Sequence, residues 1–483
     1  MKKTRLLIKY KKIPVQVKAS FWFLICAFLQ KGITVLTTPI FTRLLSTVEY
    51  GQYGVFYSWL GIATIFISLN LYAGVYTQGL VKFESERKIF SSSLQGLTFL
   101  LVVAWTGIYF LFQQFWNELL GLTTVQVLAM LVLIWTSSVF NFWASEQRVL
   151  YRYRVLVTVT LLVSICKPVV GILFVILAED KATARILAIV LVELIAYSGL
   201  FVVQMLRGKV FCSRKFWKYA LLYNLPLIPH YLSQTVLNSA DRIMIRDMIG
   251  NSEAGIYSLA YSISQIMTLF NSALSQTLNP WMYQKIKEKN IGSLAPVAYT
   301  SLISIAAVNL LLIAFAPEAV AIFAPAEYYE AIWVIPPVAM SVYFMYSYDL
   351  FAKFAFYYEK TKLIMYASVA GALLNVGLNY IFIGKLGYIA AGYTTLICYI
   401  TYCVGHYLFM NKVCDEYCDG VRPYEHKKIL GITLLFLIAG FVLLMTYHYI
   451  LLRYGIIVIA GVFALVKRKR IIEIIQSLLN CRK

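Results

Sequence analysis

Apolar stretches long enough to cross a lipid bilayer follow one another along nearly the whole chain. A membrane-spanning helix needs about 20 mostly apolar residues. The 483-residue sequence is 60% hydrophobic and only 13% charged, and we count about fourteen such stretches in it. The polar segments between them are too short for a separate soluble domain. The sequence therefore predicts an all-α, polytopic membrane protein with about fourteen transmembrane helices.

Positive charge is concentrated in alternate connections between these stretches. Most of the 43 Lys and Arg residues lie in the N-terminal segment, in every second connection after it, and in the C-terminal tail. The opposite connections hold a small group: Arg43, Lys181, Arg185, Arg242, Arg246, Lys385 and Arg453. Because cytoplasmic loops are enriched in Lys and Arg, the pattern predicts that both termini are cytoplasmic. It indicates membrane lipids as partners and excludes a nucleic-acid footprint, despite the net charge of +21.

Two polar turns separate pairs of apolar stretches in the same way at two places. The first reads RLLSTVEYGQYG and the second reads DRIMIRDMIGNSEAGIY. One shift without gaps aligns Gly51 with Gly255, Tyr53 with Tyr257, Tyr57 with Tyr261, Ser58 with Ser262, Thr64 with Thr268 and Ser68 with Ser272. We interpret this as an internal duplication. It predicts two six-helix lobes, at 1–210 and 211–412, followed by two accessory helices and a basic cytoplasmic tail at 413–483.

Polar residues recur at helical spacing before the second turn. His230, Gln234, Asn238 and Asp241 share one helix face, and Gln265 lies on a similar stripe of the next helix. Polar stripes on two neighbouring apolar helices predict the walls of a water-filled interior. We therefore expect His230, Gln234, Asn238 and Gln265 to contact substrate, although a neutral, hydrogen-bonded state is the simpler interpretation for the histidine.

Three charged residues lie deep within apolar stretches. They are Lys31, Lys167 and Glu193. A cation at the bilayer centre costs about 2.5–3.5 kcal/mol on insertion scales, so each lysine needs an acidic partner or a wet cavity that receives anions. Since Glu193 is the acid at matching depth in this half, it can neutralise one lysine. We therefore predict that Lys31 or Lys167 binds substrate, with structural pairing as the alternative.

Four further assignments concern the outer helix ends and ion coupling. Arg43 and Arg242 are candidate substrate-binding cations at the outer end. Asp241 either pairs locally with Arg242 or belongs to an outer gate. Glu193 and Asp241 are the candidate coupling or gating carboxylates, with H⁺ or Na⁺ as the ion. No cofactor or metal site is predicted, because Cys414, Cys418 and His426 are loosely spaced and lack a fourth ligand.

Several motifs together resemble a known transporter family. They are the RLLSxxEYGxYG turn, its DRIMI…EAGIYS counterpart, and the NxxxN…GxxxAG segment that begins at Asn375. The chain is similar to polysaccharide-biosynthesis flippases, including O-antigen and capsule-repeat (Wzx-type) flippases, of the multidrug/oligosaccharidyl-lipid/polysaccharide exporter superfamily. The resemblance implies two six-helix lobes around a central cavity, two accessory helices, alternating access, and the bacterial cytoplasmic membrane as location. It also implies an undecaprenyl-diphosphate-linked oligosaccharide as cargo and other polysaccharide-assembly proteins as partners.

The sequence leaves three functional hypotheses open. The first is a flippase that moves a lipid-linked oligosaccharide from the cytoplasmic to the outer leaflet, which makes the protein a transporter and not an enzyme. The second is a multidrug or cation antiporter on the same fold, which would favour buried acids over buried cations. The third is a membrane-embedded glycan polymerase or ligase, which would usually expose a larger outer loop.

Overall fold

The computed structural model describes residues 14–468, and every regular element in that range is helical. The basic N-terminal segment and most of the basic C-terminal tail lie outside the described residues. The chain divides between Thr235 and Val236 into two compact units. The predicted boundaries at 210, 412 and 413 remain predictions.

The described residues of the first unit contain nine complete α-helices. They are α1 Val15–Leu44, α2 Thr47–Ser68, α3 Val75–Lys82, α4 Arg87–Leu111, α5 Gln113–Leu120, α6 Thr124–Val149, α7 Tyr153–Leu177, α8 Lys181–Gly208 and α9 Arg214–Asn224. A short 3-10 turn, Leu225–Leu227, joins α9 to α10, Ile228–Met248. Pro226 within this turn and Pro229 within the first turn of α10 lack the N–H that a continuous helix would need, which explains the interruption. The unit boundary falls inside α10.

The second unit continues with helices of similar length. They are α11 Asn251–Ser264, α12 Thr268–Lys287, α13 Leu294–Ala314, α14 Ala316–Phe323, α15 Ile335–Tyr357, α16 Thr361–Leu386, α17 Ile389–Tyr417, α18 His426–Met445 and α19 Ile450–Val466. A 3-10 turn, Gln265–Met267, lies between α11 and α12, and another, Ala326–Trp333, precedes α15.

Membrane-spanning length and hydropathy are met by 8 helices of the described residues, or by up to 9 if a bent pair is one span. The bent pair joins Ala326–Trp333 to α15 at 49°. The all-helical, polytopic architecture is confirmed. The figure of about fourteen spans remains a prediction.

The duplicated turns have the same secondary structure in the same register. Helix α1 ends at Leu44 and α2 begins at Thr47, while α10 ends at Met248 and α11 begins at Asn251. The shift that aligns the sequences therefore also aligns the helix ends. In the first copy, Ser46 caps α2 through a reciprocal pair of hydrogen bonds with Glu49. This agreement supports the internal repeat.

Close backbone approach at glycine holds α4 against α8 in the first unit. A Cβ at Gly208 would lie 2.3 Å from the carbonyl oxygen of Lys88, so only glycine fits there. The Ser92 hydroxyl donates a hydrogen bond to the Val210 carbonyl at 2.8 Å. Gln204 of α8 accepts a hydrogen bond from Gln95 of α4. These buried contacts fix the position of α8, which carries two of the charged residues considered below.

Polar contacts attach the last two helices to the rest of the second unit. The Tyr447 hydroxyl, just after α18, donates to the Ile313 carbonyl at 2.6 Å. Arg453 of α19 forms a salt bridge with Glu318 of α14, and the arginine side chain is 3% exposed. The Tyr343 ring of α15 also packs on the apolar face of α18. Helices α18 and α19 are therefore integral to this unit.

Candidate functional site

A buried ion pair joins α7 to α8 within the first unit. The Lys167 Nζ lies 2.6 Å from Glu193 Oε1, and these side chains are 30% and 7% exposed respectively. The other carboxylate oxygen accepts hydrogen bonds from Thr136 at 2.7 Å and from Ser137 at 3.0 Å, both on α6. Glu193 is thus fully engaged by one cation and two hydroxyls. Of the two intramembrane lysines, Lys167 is the one that it neutralises.

A polar cavity of about 250 Å³ borders this ion pair. Helix α1 contributes Gln30, Thr34 and Thr37 to its wall, α7 contributes Lys167, and α8 contributes Arg185. Gln30 donates to the Ser164 hydroxyl at 3.3 Å across the cavity wall. The cavity therefore has two cationic side chains and several neutral hydrogen-bonding groups on its surface.

Arg185 sits between aromatic rings. Its guanidinium carbon lies 3.8 Å from the ring centre of Phe41 and 3.6 Å from that of Tyr53. The side chain is 9% exposed. Its Nη1 is buried, and no described residue accepts a hydrogen bond from it. The sequence places this arginine among the outer connections, so it was not a candidate site residue.

The other basic candidates of the first unit lie apart from the ion pair. Lys31 is exposed and forms no salt bridge with a carboxylate in residues 14–468. It does not line the cavity, although its neighbour Gln30 does. Arg43 is also exposed, and its guanidinium donates to the Pro39 carbonyl at 2.8 Å, which places it at the C-terminal end of α1.

The polar stripe of α10 lies partly in each unit. Gln234 lines a second cavity of the first unit, about 360 Å³, together with Thr64 and Tyr231. His230 is half-buried and lies beside the Tyr231 ring. These two stripe residues belong to the first unit.

Asp241 is the centre of a buried polar network in the second unit. The side chain is 1% exposed. Its carboxylate accepts hydrogen bonds from Tyr257 at 2.6 Å, Asn379 at 2.5 Å and Thr395 at 2.8 Å. Asn379 also donates to Asn375 at 3.3 Å. All three donors to the carboxylate are neutral, and they come from α11, α16 and α17.

Asn238 and Arg242 both contact Tyr261 in the second unit. Asn238 accepts hydrogen bonds from Tyr261 at 3.0 Å and from Tyr399 at 3.3 Å. The Arg242 guanidinium lies 4.4 Å from the centre of the Tyr261 ring. Gln265 is half-buried within the 3-10 turn between α11 and α12. The structure thus brings Asn238 and Arg242 together around one tyrosine.

The network around Asp241 offers oxygen ligands to a cation. Around Asp241 the possible ligands are one carboxylate and the neutral oxygens of asparagine and threonine, a set that suits a hard cation or a proton. Among residues 14–468, no group of three or more His, Cys, Asp or Glu could hold a metal ion. A transition-metal site is therefore not indicated in the described part of the chain.

Two family models match the sequence. A model described as polysaccharide biosynthesis protein matches residues 17–285, and one described as MatE matches residues 226–381. The first therefore covers more than half of the chain. The two matched ranges share residues 226–285, which include the second polar turn and the polar stripe before it.

Two proteins of Haemophilus influenzae are similar in sequence. The Lsg locus putative protein 1 is 28% identical over 214 residues, which is 41% of this chain and 51% of that protein. The chain thus matches about half the length of that relative. An uncharacterized membrane protein is 23% identical over 376 residues, which is 75% of this chain and 89% of that protein.

Solved structures of two transporters share the fold. The lipid II flippase MurJ, in an inward closed conformation, matches with a TM-score of 0.67 and 17% identity over 92% of this chain and 99% of that chain. An inward-facing multidrug resistance MATE family transporter matches with a TM-score of 0.60 and 14% identity over 80% of this chain and 95% of that chain. At such identities the likeness establishes the fold alone.

Proposed function

Because this chain belongs to the polysaccharide biosynthesis protein family of the multidrug/oligosaccharidyl-lipid/polysaccharide exporter superfamily, we propose that it flips a lipid-linked oligosaccharide. The cargo is an oligosaccharide on undecaprenyl diphosphate, moved from the cytoplasmic to the outer leaflet by alternating access. The protein is a multi-pass membrane protein of transporter fold. We place it in the bacterial cytoplasmic membrane with both termini cytoplasmic.

The observation that carries this proposal is a polar, cation-bearing cavity within an apolar unit. Lys167 lines the cavity and retains 30% side-chain exposure while paired with Glu193, so its ammonium has N–H groups left for an anion. Arg185 also lines the cavity and forms no salt bridge with a described carboxylate, and Lys31 is a further exposed cation on α1, outside the cavity. A diphosphate requires fixed cations of this kind, whereas a cationic drug would be repelled by them.

The membrane potential favours the proposed direction. With the cytoplasm negative, moving one elementary charge across the membrane is worth about 2.3 kcal/mol per 100 mV. Outward movement therefore lowers the electrostatic free energy of an anionic headgroup. It raises the electrostatic free energy of a cation by the same amount per charge.

Asp241 is the residue that we propose for ion coupling. Its carboxylate is buried among neutral donors on three helices, so binding of H⁺ or Na⁺ would change the charge of a fully enclosed site. Such a change alters the relative energies of two conformations that hydrate the site differently. Glu193 already has Lys167 as its partner, which favours a structural role for that carboxylate.

Disruption of the gene in its own host tests the proposal. We expect loss of one surface polysaccharide and accumulation of its undecaprenyl-linked precursor in a form that an impermeant reagent added outside the cell cannot reach. Complementation with the intact gene should restore both. An unchanged surface polysaccharide, together with increased sensitivity to cationic dyes, would favour the antiporter instead.

A further inference from the structure

Helix α9 of the first unit presents a basic surface that no described acid neutralises. Arg214 and Lys218 lie one turn apart and are both exposed. Neither forms a salt bridge with a carboxylate in residues 14–468. The salt bridge that α9 does form, with Glu86, uses a different side chain, Lys215. Two exposed cations on this helix therefore have no acidic counterpart in the described part of the chain.

The opposite face of α9 fixes the helix against α4. The Phe216 side chain is 1% exposed, and its ring meets the Phe90 ring edge to face, with the ring centres 5.3 Å apart. The Trp217 Nε1 donates a hydrogen bond to the Ser93 carbonyl at 2.8 Å. The N–H of Ser213, just before α9, donates to the Ser93 hydroxyl at 3.0 Å. The two cations are therefore carried by a helix whose position is set by packing and hydrogen bonds.

A surface groove of about 560 Å³ runs beside these cations. Arg214 and Lys218 line its charged end, Leu221 and Leu222 line its apolar end, and Trp217 lies between them. Leu222 is 67% exposed. At a rise of about 1.5 Å per residue, Arg214 and Leu222 are separated by about 12 Å along the helix axis. The groove thus changes from cationic to apolar over a distance that leads from a lipid phosphate into its acyl chains.

An anionic phospholipid matches both ends of this groove. Its phosphodiester accepts hydrogen bonds from guanidinium and ammonium groups, and its acyl chains cover apolar side chains. A zwitterionic lipid fits less well, because its own choline or ammonium group would add a positive charge beside two that are already uncompensated. A soluble polyanion would leave the apolar end of the groove uncovered.

We propose that α9 carries a binding site for an anionic phospholipid, with Arg214 and Lys218 as ligands of the headgroup phosphate and with Leu221 and Leu222 against an acyl chain. The connection before α9 is one of the basic connections predicted to be cytoplasmic, so the lipid comes from the cytoplasmic leaflet. The groove shares no lining residue with the polar cavity beside Lys167. The bound lipid is a component of the membrane and not the transported molecule, so the site does not depend on the identity of the cargo.

Native mass spectrometry of the full-length protein tests the proposal. The protein in a non-ionic detergent is titrated with phosphatidylglycerol and, in parallel, with phosphatidylcholine of the same acyl chains. We expect phosphatidylglycerol to bind more tightly. Its tightest binding should weaken by about 30-fold in Arg214→Gln/Lys218→Gln, because each basic residue near a lipid phosphate contributes about a factor of five. Equal binding of the two lipids by the wild type would overturn the proposal.

The matched control removes the same number of charges from the neighbouring segment. Arg207→Gln/Lys209→Gln replaces two exposed cations at the end of α8 and leaves the lining of the groove intact. It should bind phosphatidylglycerol as the wild type does. Because all four substituted side chains are exposed, both double variants should elute as the wild type does in size-exclusion chromatography. Equal loss of binding in both would indicate diffuse electrostatic attraction without a site, and would contradict the proposal.

Two competitors separate a phospholipid from other anions. Glycerophosphoglycerol, which is the headgroup without acyl chains, should not displace bound phosphatidylglycerol, because it cannot cover Leu221 and Leu222. Displacement by this soluble headgroup as effectively as by unlabelled phosphatidylglycerol would refute a lipid site. Displacement by undecaprenyl phosphate at a far lower concentration than by phosphatidylglycerol would assign the groove to a prenyl-linked lipid, and would likewise overturn the proposal.

Discussion

Removal of Lys167 should destabilise the protein by leaving the Glu193 carboxylate without its cation. The carboxylate is 7% exposed and the lysine is 30% exposed. Breaking a buried ion pair by removing one partner costs about 3–5 kcal/mol. Because the lysine is partly exposed and the carboxylate keeps its hydrogen bonds from Thr136 and Ser137, we expect about 2–3 kcal/mol for Lys167→Met. That corresponds to about a 30- to 150-fold change in the folded-to-unfolded ratio.

The assay is the thermal stability of a fluorescent fusion in detergent, followed by size-exclusion chromatography after heating. Lys167→Met should lower the midpoint by several degrees, and the double variant Lys167→Met/Glu193→Gln should recover most of the loss, because no charge is then stranded. Lys385→Met, which removes an exposed lysine, is the control. A single variant as stable as the wild type, or a double variant as unstable as the single one, would refute the stranded-charge reasoning.

Three further outcomes are expected. Lys31→Ala should reduce glycan export at normal membrane abundance, since it strands no described carboxylate; undiminished export would remove Lys31 from the transport path. Cysteines at Glu49 and Glu253, in a background lacking native cysteines, should both react with an impermeant reagent added outside, because the two turns occupy equivalent positions of the repeat; opposite sidedness would contradict a parallel repeat. Asp241→Asn should abolish the dependence of export on H⁺ or Na⁺. It should also cost about 1–3 kcal/mol of stability, because the new amide N–H would face a donor where the carboxylate now accepts a hydrogen bond. Retained ion dependence would exclude the residue from coupling.

The sequence predicts the membrane class and the repeat because both depend on local patterns. Apolar stretches of bilayer length specify helices directly. The two turns, with Glu49 and Glu253 at equivalent positions, predict equivalent helix ends, and Leu44 and Met248 indeed end their helices in the same register. The motifs that carry the family resemblance are likewise contiguous or nearly so.

The chemistry of the sites is less accessible to sequence reasoning, because distant segments form it. The network of Asp241 depends on Asn379 and Thr395, which lie far along the chain. The paired asparagines of the NxxxN segment were the available signal, but they did not identify their partner. Arg185 occurs near the start of a helix, where a basic residue usually indicates the membrane interface. Only folding brings Phe41 and Tyr53 against it.

Reconstituted flipping tests the central claim most directly. The purified protein is incorporated into proteoliposomes that contain a fluorescent oligosaccharide on undecaprenyl diphosphate, and translocation is followed by an impermeant quencher under an imposed potential. We predict that the diphosphate-linked lipid moves faster when the potential draws anions in the direction of transport, and that a neutral glycolipid with the same sugar does not move. Equal movement of the neutral glycolipid, or transport of a cationic dye with no movement of the diphosphate-linked lipid, would contradict the cation-lined flippase.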